Sequence, residues 1–103
     1  MESISYISEK FSKATYHLVT GHGDACSRVG LAYYEFWLLK PHNLPESMRQ
    51  KRMEIDKLLT RLPAPEGYVI PDNLRRMKNK TASRIASLIF DLYNEIKSIE
   101  SDG

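Results

Sequence analysis

The stretch DACSRVGLAYYEFWLLK, residues 24–40, is the most apolar segment of the sequence. Its interior carries only two charges, Arg28 and Glu35, which are seven residues apart and therefore fall on one narrow strip of a helix. A helix that is apolar nearly all round is either the central helix of a fold or part of an interface. Asp24 stands where an N-cap belongs, and Lys40 ends the segment just before a proline. The sequence therefore predicts that this second helix is central or interfacial.

Two further helices are predicted, one before and one after this segment. Helix one is indicated by apolar residues that recur every three or four positions, namely Ile4, Ile7, Phe11, Ala14 and Leu18. Gly21 and Gly23 are expected to end it. Helix three is expected to begin with Asn43 as its N-cap and Glu46 at the third position. Its predicted buried face consists of Met48, Ile55, Leu58, Leu59 and Leu62. Its charged residues are expected to cover the exposed face, namely Arg49, Lys51, Arg52, Glu54, Asp56 and Lys57.

The last helix has the clearest periodicity, and a proline-rich loop precedes it. The loop, LPAPEGYVIP at residues 62–71, contains three prolines and a glycine and is predicted to be non-helical. Its second half is too apolar for a free linker, so we expect it to pack over the open end of the bundle. The helix is expected to run from Asp72 to about Ile99, or to break near Lys78–Thr81 with Thr81 as a new cap. Its apolar stripe is Leu74, Met77, Thr81, Ile85, Leu88, Leu92, Ile96 and Ile99.

Together these patterns predict an all-α fold. One domain over residues 1–103 would form a compact four-helix bundle with mostly antiparallel neighbours and a long last helix. The composition, 42% apolar and 27% charged residues, is typical of such a folded domain. No apolar run reaches the ~18 residues that cross a bilayer, so no membrane association is expected. The one cysteine, Cys26, can form neither an internal disulfide nor a CxxC zinc site, which favours a cytoplasmic location.

The main charge feature is a basic cluster, defined as Arg75, Arg76, Lys78, Lys80 and Arg84. It lies in a segment, residues 40–84, with 11 basic and 5 acidic residues, although the net charge of the chain is only +2. In the opening turns of the predicted last helix these cations are slightly unfavourable, which suggests an anionic partner. An acidic protein surface and nucleic-acid phosphate are the two candidates. The alternative is a solvated helix end whose charges pair with acids of the chain such as Glu66 and Asp72.

Aromatic residues are concentrated in the second helix. The aromatic face is defined as Tyr33, Tyr34 and Trp37. Together with Phe36, and with Tyr16, Phe90 and Tyr93 elsewhere, these residues supply more aromatic area than a four-helix core of this size needs. Tyrosine and tryptophan are favoured anchors at protein interfaces. Core packing is one interpretation of these residues. The other is a surface for a protein partner or for a second copy of the chain in a homodimer.

The segment TGHGD, residues 20–24, contains the residues that most suggest chemistry. A glycine-rich turn before a helix can bind phosphate, and His17, His22 and Asp24 are possible metal ligands. However, the chain has neither a GxxxxGK[ST] motif nor an HExxH motif, and a glycine turn followed by an aspartate cap explains every residue. A nucleophilic pair of Cys26 with His22 is conceivable, but a buried cysteine is the preferred interpretation. No catalytic residue, metal ligand or cofactor is predicted, and the protein is not expected to be an enzyme.

The sequence therefore favours a small protein-binding regulator or adaptor. It would use the aromatic face as an anchor and the basic cluster to attract an acidic partner. Nucleic-acid binding through the basic cluster is the alternative, although the ten-residue loop before the last helix argues against a helix-turn-helix. The general look of GDACSRVGLAYYEFW, LPESMRQKR and LRRMKNKTASRIASLIFDLY resembles small prokaryotic proteins. That resemblance implies a bacterial or phage-related cytosol and carries over no active residue.

Overall fold

The computed structural model describes residues 1–102, and within them five α-helices and no strand are found. In chain order the helices are α1 (Ile4–Thr20), α2 (Ala25–Phe36), α3 (Glu46–Leu59), α4 (Val69–Arg76) and α5 (Asn79–Asp102). A short 3₁₀ turn at Pro41–Asn43 connects α2 to α3. The predicted all-α helical bundle is confirmed, with five helices in place of four because the predicted last helix is divided.

The core is built around α1, α2 and α5. The buried face of α5 consists of Ala82, Ile85, Leu88, Ile89, Leu92 and Ile96. Helix α1 packs along both α2 and α5 and contributes the fully buried Ile7, Phe11 and Ala14. The Phe11 ring stacks on Phe36 of α2, with ring centroids 4.7 Å apart. Each large apolar side chain removed from water stabilises the fold by about 1.5–3 kcal/mol, so this seam holds the three helices together.

Helix α2 starts as predicted and ends early. The Asp24 carboxylate accepts the backbone N–H of Ser27 at 2.9 Å, which confirms the N-cap. The helix ends at Phe36 and not at Lys40. The N–H of Leu39 turns back to the carbonyl of Phe36 at 2.9 Å, so the chain leaves the helix in a tight turn.

The predicted start of α3 was wrong. The side chain of Asn43 accepts the N–H of Lys40 at 2.9 Å and thereby closes the 3₁₀ turn, so it is not free to cap α3. Pro45 takes the cap position and Glu46 is the first residue of the helix. Glu46 still complements the partial positive charge of the helix start.

The predicted last helix is two helices. Met77 lies between them in an extended conformation, with φ −71° and ψ 138°, and α5 begins at Asn79. This confirms the alternative in which the helix breaks near Lys78. Thr81 is not the new cap, because it is already the third residue of α5.

Helix α4 begins inside the predicted loop. Residues 69–71 are helical, so the prediction of a non-helical segment over residues 62–71 was wrong at its end. Pro71 falls in the first turn of α4, where backbone N–H groups have no acceptor within the helix and the missing N–H of proline does no harm. The remaining segment, residues 60–68, connects α3 to α4.

A buried asparagine holds this connection in place. The side-chain amide of Asn73 donates to the carbonyls of Leu62 and Val69, at 3.0 and 2.8 Å, and its oxygen accepts the Leu62 N–H at 2.9 Å. Asn73 is only 2% exposed, so these bonds replace the hydrogen bonds to water that its side chain loses on burial. One side chain therefore attaches Leu62, near the start of the connection, to α4.

Arg52 was predicted to lie on the exposed face of α3, and this was wrong because its side chain is 0% exposed. Its guanidinium donates to the carbonyls of Leu39 and Trp37, at 2.8 and 3.4 Å, and to the Asp56 carboxylate at 2.6 Å. It also lies over two aromatic rings of α2. The cation is buried because the end of α2 presents carbonyls that need a donor.

Candidate functional site

One side of α2 exposes large apolar side chains. We call this the exposed α2 face and define it as Leu31 and Tyr34 of α2 and Trp37 and Leu38 of the turn that follows the helix, which are exposed by 49%, 48%, 43% and 65%. The opposite side of the helix is buried in the core. Of the predicted aromatic face, Tyr34 and Trp37 are therefore accessible to a partner.

The third predicted aromatic residue, Tyr33, lies in the core and is only 4% exposed. Its ring packs edge-on against Phe36 and lies beside the guanidinium of Arg52. Burial raises the pKa of its phenol. The structure thus separates Tyr33 from Tyr34, since neighbouring residues in a helix point about 100° apart.

Helix α4 crosses α2 closely at Gly30. A Cβ atom at Gly30 would lie 3.3 Å from Cδ1 of Leu74, which is tighter than an ordinary contact. Beside this crossing is a groove of about 670 Å³, which we call the α2–α4 groove. Its apolar walls are Leu31 and Tyr34 on α2 and Leu74 and Met77 at the end of α4.

The groove continues along the exposed α2 face. A second hollow of about 270 Å³ is lined by Tyr34 and Trp37 together with Val69, Ile70 and Pro71 of α4. Tyr34 lines both hollows, so the groove and the face form one continuous apolar surface.

The charged residues beside this surface that have no hydrogen-bonding or ion-pair partner in the described part of the chain are basic. The ammonium of Lys40 lies 5.7 Å from the centre of the Trp37 ring, and Lys10 lines a small hollow next to Tyr34. Neither lysine has a carboxylate within ion-pair distance in residues 1–102. The nearby acids are engaged, because Glu35 contacts Nε2 of His17 at 2.8 Å and Asp24 caps α2. Accepting the Ser27 N–H also lowers the pKa of Asp24.

The structure divides the basic cluster. Arg75 and Arg76 lie in the last turn of α4, where the helix dipole favours cations, so the premise that they stand at a helix start was wrong. Lys78 and Lys80 do lie at the start of α5. Arg75 lines the α2–α4 groove, whereas Arg76 and Lys78 line a pocket on the α3 side of α4.

Three members of the basic cluster already have partners in the chain. Arg75 pairs with Asp72 at 2.9 Å, Arg76 donates to a backbone carbonyl, and Arg84 pairs with Glu54 at 2.7 Å. These contacts are of the kind expected for a solvated helix end. Lys78 and Lys80 are exposed and form no ion pair within residues 1–102.

Sequence reasoning missed the α4 side of the surface. Leu74 and Met77 were assigned to the buried stripe of one long helix, but the break at Met77 turns them into groove walls. Leu31 and Leu38 were recognised as apolar without being assigned to the site. The available signal was the lack of a polar face on α2.

Cys26 lies at the start of α2, half-buried in the wall of the groove. Its thiol donates to the carbonyl of Met77 at 3.3 Å, and burial raises its pKa. A raised pKa keeps the thiol protonated near neutral pH, whereas nucleophilic cysteines have a lowered pKa. The geometry therefore points to packing as the role of Cys26.

Within residues 1–102 no group of three or more histidine, cysteine, aspartate or glutamate residues is placed to hold a metal ion. None of the helices described is long and apolar enough to cross a membrane. No protein-family model matches the chain, and neither a curated protein nor a solved structure shows significant similarity to it.

Proposed function

We propose that the chain is a non-enzymatic protein-binding regulator or adaptor whose partner lays an apolar, acidic segment into the α2–α4 groove. The observation that carries this proposal is the continuous apolar surface formed by the groove and the exposed α2 face. Contiguous apolar patches of this kind are uncommon on proteins that do not bind a partner or ligand.

The shape of the surface fits a helical or extended segment. Leu31 and Tyr34 lie on one face of α2, Leu38 is exposed in the turn that follows, and the hollows beside Leu31 and Tyr34 are open. A partner helix with apolar residues at positions i, i+3 or i+4, and i+7 would match such a row. Tyr34 and Trp37 are the residue types that most often dominate binding energy.

The charges favour an acidic partner. Lys10 and Lys40 border the surface without a carboxylate partner, whereas Arg75 in the wall of the groove is paired with Asp72. Acidic residues flanking the apolar segment would meet these cations, which speeds association and selects against basic partners. Replacing Lys10 and Lys40 by glutamine should therefore slow association at low salt.

The test uses a photo-crosslinking amino acid at Ser27, which lines the groove, and the same amino acid at Tyr16 of α1 as the control. A captured protein is then purified and its affinity measured. We expect crosslinks from position 27 alone, and the Leu31→Ser/Leu38→Ser variant should weaken binding by about tenfold or more. The Tyr16→Ser/Val19→Ser variant, which removes two apolar side chains of α1 that are at least as exposed, should bind normally. Equal crosslinking from both positions, or equal weakening by both variants, would overturn the proposal.

Two other outcomes identify a different function. A crosslink to a second copy of the chain, with a doubled mass in solution, would assign the surface to a homodimer. Nuclease-sensitive capture would favour nucleic-acid binding, for which the exposed Lys78 and Lys80 are the supporting observation. In that case replacing Arg75, Arg76, Lys78 and Lys80 by serine should weaken duplex binding and reduce its salt dependence.

A further inference from the structure

A second pocket, of about 160 Å³, lies where the end of α3, the end of α4 and the start of α5 meet. Its apolar floor consists of Leu58, Leu62 and Met77, and its charged residues are Arg61, Arg76 and Lys78. No carboxylate lines it. We call this the basic pocket. Three cations around so small a space repel one another unless an anion lies between them.

Two of these cations form a hydrogen bond with another part of the chain. A terminal nitrogen of Arg61 donates to the Thr81 hydroxyl at 3.3 Å, and one of Arg76 donates to the carbonyl of Pro63 at 3.3 Å. Each guanidinium keeps most of its donors free after making one such bond. Lys78 has no ion-pair partner within residues 1–102. The two guanidinium groups and the ammonium group therefore leave several N–H donors free beside the pocket.

We propose that the basic pocket binds a phosphate group, as inorganic phosphate or as a phosphomonoester, through Arg61, Arg76 and Lys78. Phosphate is the anion that best matches this set, because guanidinium groups bind its oxygens in a bidentate manner and its charge is high enough to neutralise several cations. The first turn of α5 carries no acidic residue that would compete. This inference does not depend on the α2–α4 groove.

The lining argues against nucleic acid as the source of the phosphate. No aromatic side chain lines the pocket, so a base has no ring on which to stack. A nucleic-acid backbone also needs a track of free cations, and Arg75 and Arg84 of the same segment are paired with Asp72 and Glu54.

The test is a titration of the ¹⁵N-labelled full chain with inorganic phosphate at constant ionic strength, followed by NMR. We expect saturable shifts of the amides of residues 78–81. The Arg76→Gln/Lys78→Gln variant should weaken binding by about tenfold or more. The Arg75→Gln/Lys80→Gln variant removes the same charge from the same segment outside the pocket, and it should change affinity by less than about twofold. Circular dichroism should show the same helix content in both variants.

Phosphoserine and duplex DNA provide the two further arms. Competition by phosphoserine assigns the pocket to phosphomonoesters, and binding of inorganic phosphate without competition assigns it to the free ion. Shifts that follow salt concentration without saturating would overturn the proposal. Equal weakening by the two double variants would do the same, and duplex binding that both variants reduce would point to nucleic acid.

Discussion

On one side of α2, Ala32 and Phe36 are buried in the core, while on the other side Leu31 and Tyr34 are exposed by 49% and 48%. Both sides are built from aliphatic and aromatic residues, and they differ in what packs against them. Helices α1 and α5 cover the first side, whereas α4 is short and covers the second only in part. The apolar composition of α2 therefore indicates that both of its sides can be buried. The neighbouring helices determine which side is buried within the chain and which side stays exposed.

The largest effect should come from the buried side. Replacing Phe36 by alanine removes a ring that stacks on Phe11 and lies beneath Arg52, and should lower the free energy of unfolding by about 3–5 kcal/mol. Leu38→Ala, two positions after Phe36 in the exposed turn that follows α2, is the control and should change the free energy of unfolding by less than about 0.5 kcal/mol. Urea unfolding measures both. If both variants lost a similar free energy of unfolding, Phe36 and Leu38 would not differ in burial.

The end of α2 provides the second test. Arg52→Ala removes a buried guanidinium that binds the carbonyls of Leu39 and Trp37, and should cost about 2–3 kcal/mol. Lys51→Ala, at an exposed position of the same helix, should change stability little. Arg52→Met keeps most of the side-chain volume and should recover only the packing part of the loss. Full recovery in Arg52→Met would show that the hydrogen bonds contribute nothing.

The third test concerns the attachment of α4. Asn73→Ala removes the hydrogen-bond partners of the backbone N–H and C=O of Leu62, and should cost about 1–2 kcal/mol. Hydrogen exchange should speed up in α4 and at Leu62 before it changes in α5. Asn94→Ala, at an exposed site of α5, is the matched control and should leave exchange in α4 unchanged. If hydrogen exchange became faster by the same factor in all helices, Asn73 would not be holding α4 locally.

The smallest effect on stability should come from the exposed α2 face. The Leu31→Ser/Leu38→Ser variant should change the free energy of unfolding by less than about 1 kcal/mol. It should bind less of a fluorescent hydrophobic dye than the native chain, because it removes apolar area that is open to solvent. Tyr16 and Val19 lie outside the groove, so the Tyr16→Ser/Val19→Ser variant should reduce dye binding less than the Leu31→Ser/Leu38→Ser variant does. A large loss of stability in the first variant would place these leucines in the core.

The features that could be predicted from the sequence are those that depend on nearby residues. The cap of α2 at Asp24 needs only the backbone three residues ahead, and the stripe of α5 needs only its own periodicity. The break near Lys78 could be predicted only as one of two alternatives. Pro71 was taken as a helix breaker, although proline is tolerated in the first turn.

The features that could not be predicted depend on contacts between distant segments. Arg52 is buried because carbonyls at the end of α2 reach it, and no periodicity in α3 signals this. Tyr33 and Tyr34 are adjacent in sequence and lie on opposite sides of the core boundary. The basic pocket adds Arg61 to Arg76 and Lys78, which are neighbours in the sequence, and only the fold brings Arg61 beside them.

The fastening by Asn73 makes the loop before α4 a natural insertion point for tags and reporters. Its bonds to Leu62 and Val69 close the loop at its base, so residues between them do not have to hold the ends together. Gly67 lies within the loop at a φ of +84°, and no atom approaches within 4 Å of where its Cβ would be. Lengthening such a closed loop costs only about 0.6 kcal/mol for each doubling of its length. Gly67 lines the same hollow as Tyr34 and Trp37, so a fluorophore or epitope inserted after it would stand beside the exposed α2 face and report on its occupancy in living cells.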